Sequence, residues 1–133
     1  MTSLEAQMHD VGLRARAAAA TLALADPAQR TAALAAMAQH VRASSIAILA
    51  ANAVDVERAK EKALAESFID RLALTPQRLD AVAAGVDTIA ALPDPVGAVM
   101  AEWTRPNGLV IQRVRTPIGV IGMIFESRPN VAA

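Results

Sequence analysis

An uninterrupted apolar run, Val120 to Phe125, is the feature that most constrains the fold of this 133-residue chain. A strand with one solvent-exposed face alternates polar and apolar residues, whereas a strand buried on both faces in a parallel sheet is apolar throughout. Such a strand needs parallel neighbours, and each is reached by a crossover of a dozen or more residues. The sequence offers no second run of this kind. We therefore expect the chain to be the N-terminal piece of a larger α/β protein.

The part of the chain before Pro93 has the periodicity of α-helices. Leu4, Met8, Val11, Ala15, Ala18 and Leu22 recur at steps of three or four and mark one face of a first helix. Capping residues predict three further helix starts, at Asp26-Pro27 (with Gln29 at the capping-box position), at Ser44-Ser45 and at Thr75-Pro76. The apolar stripes expected for these helices are Leu34, Met37, Ala38 and Val41, then Ile46, Leu49 and Ala53, and finally Leu79, Val82, Val86 and Ile89.

Beyond the rigid Pro93-Asp94-Pro95 connector the helical period ends and a hairpin is predicted. Two extended runs, 99–105 and 109–115, flank the turn signal Pro106-Asn107-Gly108. Trp103 stands beside the turn as a packing anchor. Three arginines in the ribbon, Arg105, Arg113 and Arg115, fit either a small anion site or an exposed or inter-subunit face.

Composition excludes several classes of protein. Lys and Arg number 13 and Asp and Glu number 13, so no net positive charge supports nucleic-acid binding. Cysteine is absent, which excludes disulfides and thiolate metal sites within these residues. His9 and His40 have no partner at the spacing of metal ligands, so we expect no metal site. No run reaches the roughly 18 to 20 apolar residues of a membrane-spanning helix, and we expect a cytoplasmic protein.

The polar loop after the apolar run is the candidate site. Ligands of open α/β sheets bind beyond the carboxyl ends of strands, where loops and helix N-termini offer free N–H groups. Arg128 is suited to a phosphate or carboxylate, and Asn130 to a developing oxyanion. The alternative is structural: Arg128 forms an ordinary salt bridge, and Asn130 caps a helix that begins with Val131-Ala132-Ala133.

The run EWTRPNGLVIQRVRTPIGVIGMIFESRPNV, residues 102–131, resembles the signature region of gamma-glutamyl phosphate reductase. This family is also called glutamate-5-semialdehyde dehydrogenase and lies in the aldehyde dehydrogenase superfamily. Three earlier stretches resemble the same family in the same order: ILAANAVDVERAKEKAL (48–64), IDRLALTPQRL (69–79) and IAALPDPVG (89–97). The resemblance implies NADPH-dependent reduction of L-glutamate 5-phosphate to glutamate 5-semialdehyde and phosphate, in proline biosynthesis.

The resemblance also implies an α/β fold of the aldehyde dehydrogenase type and a division of this chain. Residues 1–98 would be the N-terminal helical part of the dinucleotide-binding domain, and 99–116 an oligomerisation hairpin that makes the enzyme a homo-oligomer. Residues 117–133 would be the first strand and loop, and the start of the following helix, of the dinucleotide-binding core, cut short.

Site residues carried over from the family fall in the same loop. The resemblance places Phe125, Glu126 and Ser127 against the cofactor NADPH, and Arg128 against the substrate. In aldehyde dehydrogenases an asparagine of this loop helps to hold the substrate oxygen. Alignment without gaps from Pro117 puts Arg128 at that position, whereas Asn130 matches it only after a shift of two residues.

The family mechanism uses a cysteine that forms a thioester, and this chain has none. The nucleophile is therefore expected beyond residue 133, and the chain alone is expected to be inactive. The alternative is an autonomous helical interaction module that descends from the enzyme and has no activity. An open reading frame downstream that supplies a cysteine and further βα units would favour the enzyme.

Overall fold

Five α-helices, one antiparallel hairpin and one short 3-10 helix make up the computed structural model, which describes residues 3–133. The helices are α1 (Leu4–Ala23), α2 (Pro27–Ala43), α3 (Ser45–Glu61), α4 (Glu66–Leu72) and α5 (Pro76–Ala90). The hairpin pairs β1 (Val99–Thr104) with β2 (Val110–Val114), and the 3-10 helix is Pro129–Ala132. All four helices and the hairpin expected from the sequence are present, which confirms those predictions, and α4 is an addition to them.

Two of the predicted caps hold their helices through side-chain hydrogen bonds. The Asp26 carboxylate accepts from the backbone N–H of Ala28 at 2.7 Å, at the start of α2. The Thr75 hydroxyl accepts from the backbone N–H of Arg78 at 3.1 Å, at the start of α5. Ser44 occupies the N-cap position of α3 without a side-chain cap bond. Free N–H groups at helix starts explain why these residue types mark the boundaries well.

The chain forms two compact units. One comprises the chain up to Arg30 together with Pro93–Gly122, and the other comprises Thr31–Leu92 and Met123–Ala133. The second unit holds the main core, where Ala38 of α2 and Ala83 of α5 are fully buried beside Val86. Leu34 and Val41 of α2 pack against this cluster. Two of the three buried residues of this cluster are alanines, so the core is built from small side chains.

Charged groups at the edge of that core also join α2 to α5. The Arg42 guanidinium lies 2.8 Å from the Asp87 carboxylate and 3.1 Å from that of Asp80. Hydrogen bonds to Asp87 and then to Asp80 raise the pKa of Arg42 above its usual value. All three side chains are at least two-fifths exposed, so water screens these pairs and their stabilising effect is small.

The buried face of α3 differs from the predicted one. Ile46 is 85% exposed and Ala53 is exposed, whereas Asn52 and Ala59 are buried. Of the expected stripe only Leu49 is half-buried. The prediction for Ile46 and Ala53 was wrong because a polar residue occupies the centre of the face. Asn52 donates from its side-chain amide to the Leu72 carbonyl at 2.9 Å, and its carbonyl oxygen accepts from the Leu74 N–H at 2.7 Å.

The hairpin lies in the first unit and follows the predicted turn. Trp103 is opposite Ile111 and Thr104 is opposite Val110, with an irregular register between Val99 and Ala101. Gly108 adopts φ +84° and donates its N–H to the Arg105 carbonyl at 2.9 Å, so the turn needs glycine there. Trp103 remains 41% exposed, and hence it is not a buried anchor within the described residues.

The apolar run does not form a strand among residues 3–133. Residues 120–125 have no ladder partner, and all of them are exposed. The expected buried strand is therefore not formed here, because β1 and β2 pair only with each other and offer this run no edge. An extended segment becomes a strand only when a neighbour supplies hydrogen bonds.

Within residues 3–133, no single helix is long and apolar enough to span a bilayer. The consecutive helices α2 and α3 reach that length and composition only as a pair bent by 66°.

Candidate functional site

The polar loop Glu126–Asn130 turns sharply at Ser127. Ser127 has φ +51°, a left-handed conformation that few residues other than glycine adopt. The chain then enters the 3-10 helix Pro129–Ala132, with Arg128 at the position that precedes it. Asn130 lies inside this helix and does not cap it. The predicted capping role was wrong because Pro129, whose fixed φ suits a first helical position, starts the helix two residues earlier than expected.

The polar side chains of the loop form no hydrogen bond or ion pair within the described residues. Glu126, Arg128 and Asn130 are exposed and Ser127 is half-buried. None of these four side chains has a hydrogen bond or ion pair to any residue from 3 to 133. Phe125 is about half exposed, at 49%. The salt bridge proposed as the alternative for Arg128 is thus not formed within the described residues.

Arg128 and Asn130 line one wall of a surface pocket of about 650 Å³ in the second unit. That volume lies in the range of small-molecule sites. The other walls come from α4, from α5 and from the connector between them. Apolar lining residues are Ala73, Leu74, Ala81, Val82, Gly85, Val86, Ile89, Pro129 and Ala133. The pocket thus brings together Arg128, predicted to bind substrate, and Asn130, predicted to support an oxyanion. The three predicted cofactor residues, Phe125, Glu126 and Ser127, do not line it.

Three guanidinium groups and one carboxylate line the pocket, which leaves it positively charged. Arg78 is committed to structure: it bonds the Asp70 carboxylate at 2.8 Å, the Ala73 carbonyl at 3.0 Å and the Asp70 carbonyl. Arg71 and Arg128 have no partner among residues 3–133. The pocket therefore presents two free guanidiniums and the Asn130 amide above an apolar wall, a set of donors suited to phosphate or carboxylate groups.

Sequence reasoning missed Arg71 as a pocket residue. Arg71 lies in the last turn of α4, a helix of seven residues that no periodicity revealed. The available signal was the polar pair Asp70-Arg71 followed by Arg78 within the IDRLALTPQRL stretch. It predicts a charged cluster but not that the cluster reaches a loop more than fifty residues further along the chain.

Other candidates offer less. A pocket of about 420 Å³ in the first unit is lined mainly by alanines of α1 and by Pro117–Val120, and its one charged residue, Arg30, already pairs with Asp94 at 2.7 Å. In the hairpin, Arg105 pairs with Leu109 at the turn and Arg113 lies opposite Ala101, about 13 Å along the strand. That distance favours the explanation that the arginines lie on an exposed face of the ribbon over the explanation that they form one anion site.

Residues 3–133 contain no cluster of three His, Asp or Glu side chains able to hold a metal.

Two curated relatives of this chain share one name. No protein-family model matches the chain. A gamma-glutamyl phosphate reductase of Caulobacter sp. (strain K31) is 60% identical over 131 residues, which are 98% of this chain and 31% of that protein. The protein of the same name from Bradyrhizobium diazoefficiens is 54% identical over 131 residues, 98% of this chain and 30% of its own length. The chain thus spans about 30% of the length of the curated relatives it matches.

Solved structures agree with the sequence comparison. The gamma-glutamyl phosphate reductase of Thermotoga maritima matches with a TM-score of 0.85 at 44% identity, over 88% of this chain and 28% of that one. The Saccharomyces cerevisiae enzyme matches with a TM-score of 0.87 at 34% identity, over 92% of this chain and 31% of that one. The resemblance predicted from the sequence is confirmed: nearly the whole chain is homologous to about 30% of a gamma-glutamyl phosphate reductase.

Proposed function

We propose that this chain is the N-terminal part of an enzyme that reduces L-glutamate 5-phosphate with NADPH to L-glutamate 5-semialdehyde and phosphate, a reaction of proline biosynthesis. The observation that carries the proposal is the likeness to the Caulobacter reductase, at 60% identity over 98% of this chain. In the enzyme we assign residues 1–98 to the helical part of the dinucleotide-binding domain and 117–133 to the start of its core.

The pocket supplies substrate binding, while the nucleophile comes from elsewhere. The chain contains no cysteine, so the thiol that forms the acyl-enzyme lies outside residues 1–133. The Arg128 guanidinium binds the acyl phosphate, because a planar fork of N–H donors fits two phosphate oxygens. Asn130, which lines the same pocket, donates its side-chain amide to the oxygen that gains negative charge when the acyl carbon is attacked.

The cofactor binds beside this pocket. When bound, NADPH supplies the hydride that reduces the acyl carbon. In the loop, Phe125 offers a half-exposed aromatic ring, and Glu126 and Ser127 offer polar groups with no partner among residues 3–133. An apolar surface next to free polar groups fits a nicotinamide ring and its ribose hydroxyls. The left-handed turn at Ser127 separates these groups from Arg128 and Asn130, so one short loop serves both ligands.

We assign oligomerisation to residues 99–116. Every residue of β1 is exposed, and of β2 only Ile111 is half-buried. A two-stranded ribbon exposed on both faces is marginal in water, and packing of residues 99–116 against a second copy would stabilise it. We place the homo-oligomeric enzyme in the cytoplasm.

A chimeric enzyme tests the proposal. The matching 131-residue segment of the Caulobacter reductase is replaced by this chain, and phosphate-dependent oxidation of glutamate 5-semialdehyde is followed through NADPH formation. We expect turnover within about tenfold of the parent enzyme, because the two segments are 60% identical. This 133-residue chain alone is the negative control. A chimera that is folded and oligomeric but inactive would contradict the proposal and favour the interaction module.

A further inference from the structure

The pocket is lined by a second arginine without a partner among residues 3–133, Arg71, in addition to Arg128. Arg71 and Arg128 both line it, together with apolar groups of α5, among them Val82 and Ile89. A pocket lined by two unpartnered guanidiniums and by apolar side chains is complementary to a short aliphatic chain that bears an anion at each end.

We propose that Arg71 binds the α-carboxylate of the glutamyl substrate, while Arg128 binds the phosphate. The proposal rests on the function proposed above and adds a specificity residue to it. It names the class of ligand as a five-carbon chain with two anionic ends, one of them a carboxylate that does not react.

The connection between α4 and α5 holds Arg71 at the pocket. Arg78, in the first turn of α5, bonds the Asp70 carboxylate at 2.8 Å and the Ala73 carbonyl at 3.0 Å. These bonds engage residues on both sides of Arg71, and the Arg71 guanidinium itself has no partner among residues 3–133. Asp70 is the only acidic residue in the lining described for this pocket. Because Arg78 satisfies that carboxylate, Asp70 does not compete for Arg71.

A purely structural role for Arg71 is the competing explanation. A cation in the last turn of a helix interacts favourably with the helix dipole, and Arg71 occupies that turn of α4. This role predicts lower thermal stability without any change in substrate affinity. Separate Michaelis constants for the two anionic substrates of the reverse reaction distinguish the explanations, because the semialdehyde carries the α-carboxylate and inorganic phosphate does not.

The experiment compares Arg71→Gln, Arg71→Lys and Arg128→Gln in the active chimeric enzyme, with Arg16→Gln as control. Arg16 lies on α1, is exposed and is outside this pocket. Loss of a charge-assisted hydrogen bond weakens binding by roughly ten- to a hundred-fold. We expect Arg71→Gln to raise the KM for glutamate 5-semialdehyde by that factor, with kcat and the KM for phosphate changed less than about threefold. Arg71→Lys should restore part of the affinity, and Arg128→Gln should raise the KM for phosphate.

Each result decides between the explanations. Unchanged Michaelis constants in Arg71→Gln, or a rise in the KM for phosphate alone, would overturn the assignment of Arg71 even though the chimera is active. Failure of the unsubstituted chimera to turn over would instead contradict the proposed function. Circular dichroism of each variant separates a change in folding from a change in affinity.

Discussion

The guanidinium of Arg30 donates from Nε to Oδ2 of Asp94 at 2.7 Å, and about four-fifths of both side chains is buried. Its Nη1 also donates to the carbonyl oxygens of Leu22, at 3.3 Å, and Ala25. The second carboxylate oxygen of Asp94 accepts from the Val96 N–H at 2.9 Å. One ion pair therefore links the end of α1, the first turn of α2 and the proline-rich connector before the hairpin.

This arrangement predicts a pH-dependent loss of stability. The Val96 N–H and then the Arg30 guanidinium lower the pKa of Asp94 below its usual 3.8. A carboxyl whose pKa is lower in the folded state contributes fully above the unfolded value and loses its contribution as pH falls through the folded one. We expect Asp94→Asn to lower Tm at pH 7, and the gap from the unsubstituted chain to narrow as pH falls below 3.8.

Thermal melts from pH 7 to pH 2 measure this difference in Tm between Asp94→Asn and the unsubstituted chain. The control is Asp55→Asn, because Asp55 is exposed and lies 3.8 Å from Arg58, and exposed pairs contribute little. A gap that stays constant down to pH 2 would show that the charge of Asp94 is not what stabilises the connector.

A second prediction concerns the buried amide of Asn52, which is 8% exposed. Asn52→Ala removes both hydrogen bonds and leaves the Leu72 carbonyl and the Leu74 N–H without their partner. A buried polar group left unsatisfied costs roughly 1 to 3 kcal/mol, so we expect a loss of that size in the free energy of unfolding. The measurement is denaturant unfolding. Asn130→Ala is the matched control, since the Asn130 side chain is exposed and has no partner among residues 3–133, and an equal loss in both would refute the role of Asn52.

Sequence alone predicts the helices well because their ends depend on local chemistry. Thr75 caps α5 as expected, and Asp26 bonds the first turn of α2. Prediction from the sequence fails for the buried face of α3, because Asn52 rather than an apolar residue occupies its centre. An amide becomes a core residue only when distant carbonyl and N–H groups meet it, and Leu72 and Leu74 lie twenty and twenty-two residues further along. No local pattern carries that information.

The candidate site is predictable from the sequence only where its residues carry a local signal. Arg128 and Asn130 stand out because they follow an apolar run, and the structure places both on one pocket. Arg71 does not stand out, since its link to them exists only after α4 and α5 pack. The apolar run itself predicts burial, but the neighbours that would bury it are not among residues 3–133.

A third prediction follows from that exposed run. Ile124 is fully exposed and Ile121 is 65% exposed, and an unpaired apolar extended segment is a template for association. We expect the 133-residue chain to self-associate, and Ile121→Lys together with Ile124→Lys to reduce association severalfold. Ile46→Lys is the control, because Ile46 is 85% exposed but lies on a helix whose backbone is already paired. Light scattering over a concentration series measures the extent of self-association. Equal association of the unsubstituted chain, the double variant and Ile46→Lys would contradict the prediction.

The last prediction separates binding from structure at Arg128. Its side chain is exposed and has no salt bridge among residues 3–133, so Arg128→Lys and Arg128→Ala should leave Tm unchanged. In the active chimeric enzyme both should lower kcat/KM by roughly ten- to a hundred-fold, because lysine keeps the charge but not the two-pronged geometry that fits a phosphate. The dissociation constant for NADPH should change much less, since Arg128 lines the pocket and Phe125, Glu126 and Ser127 do not. Lowered Tm with normal kinetics would instead assign Arg128 a structural role and leave Asn130 as the substrate-binding residue of the loop.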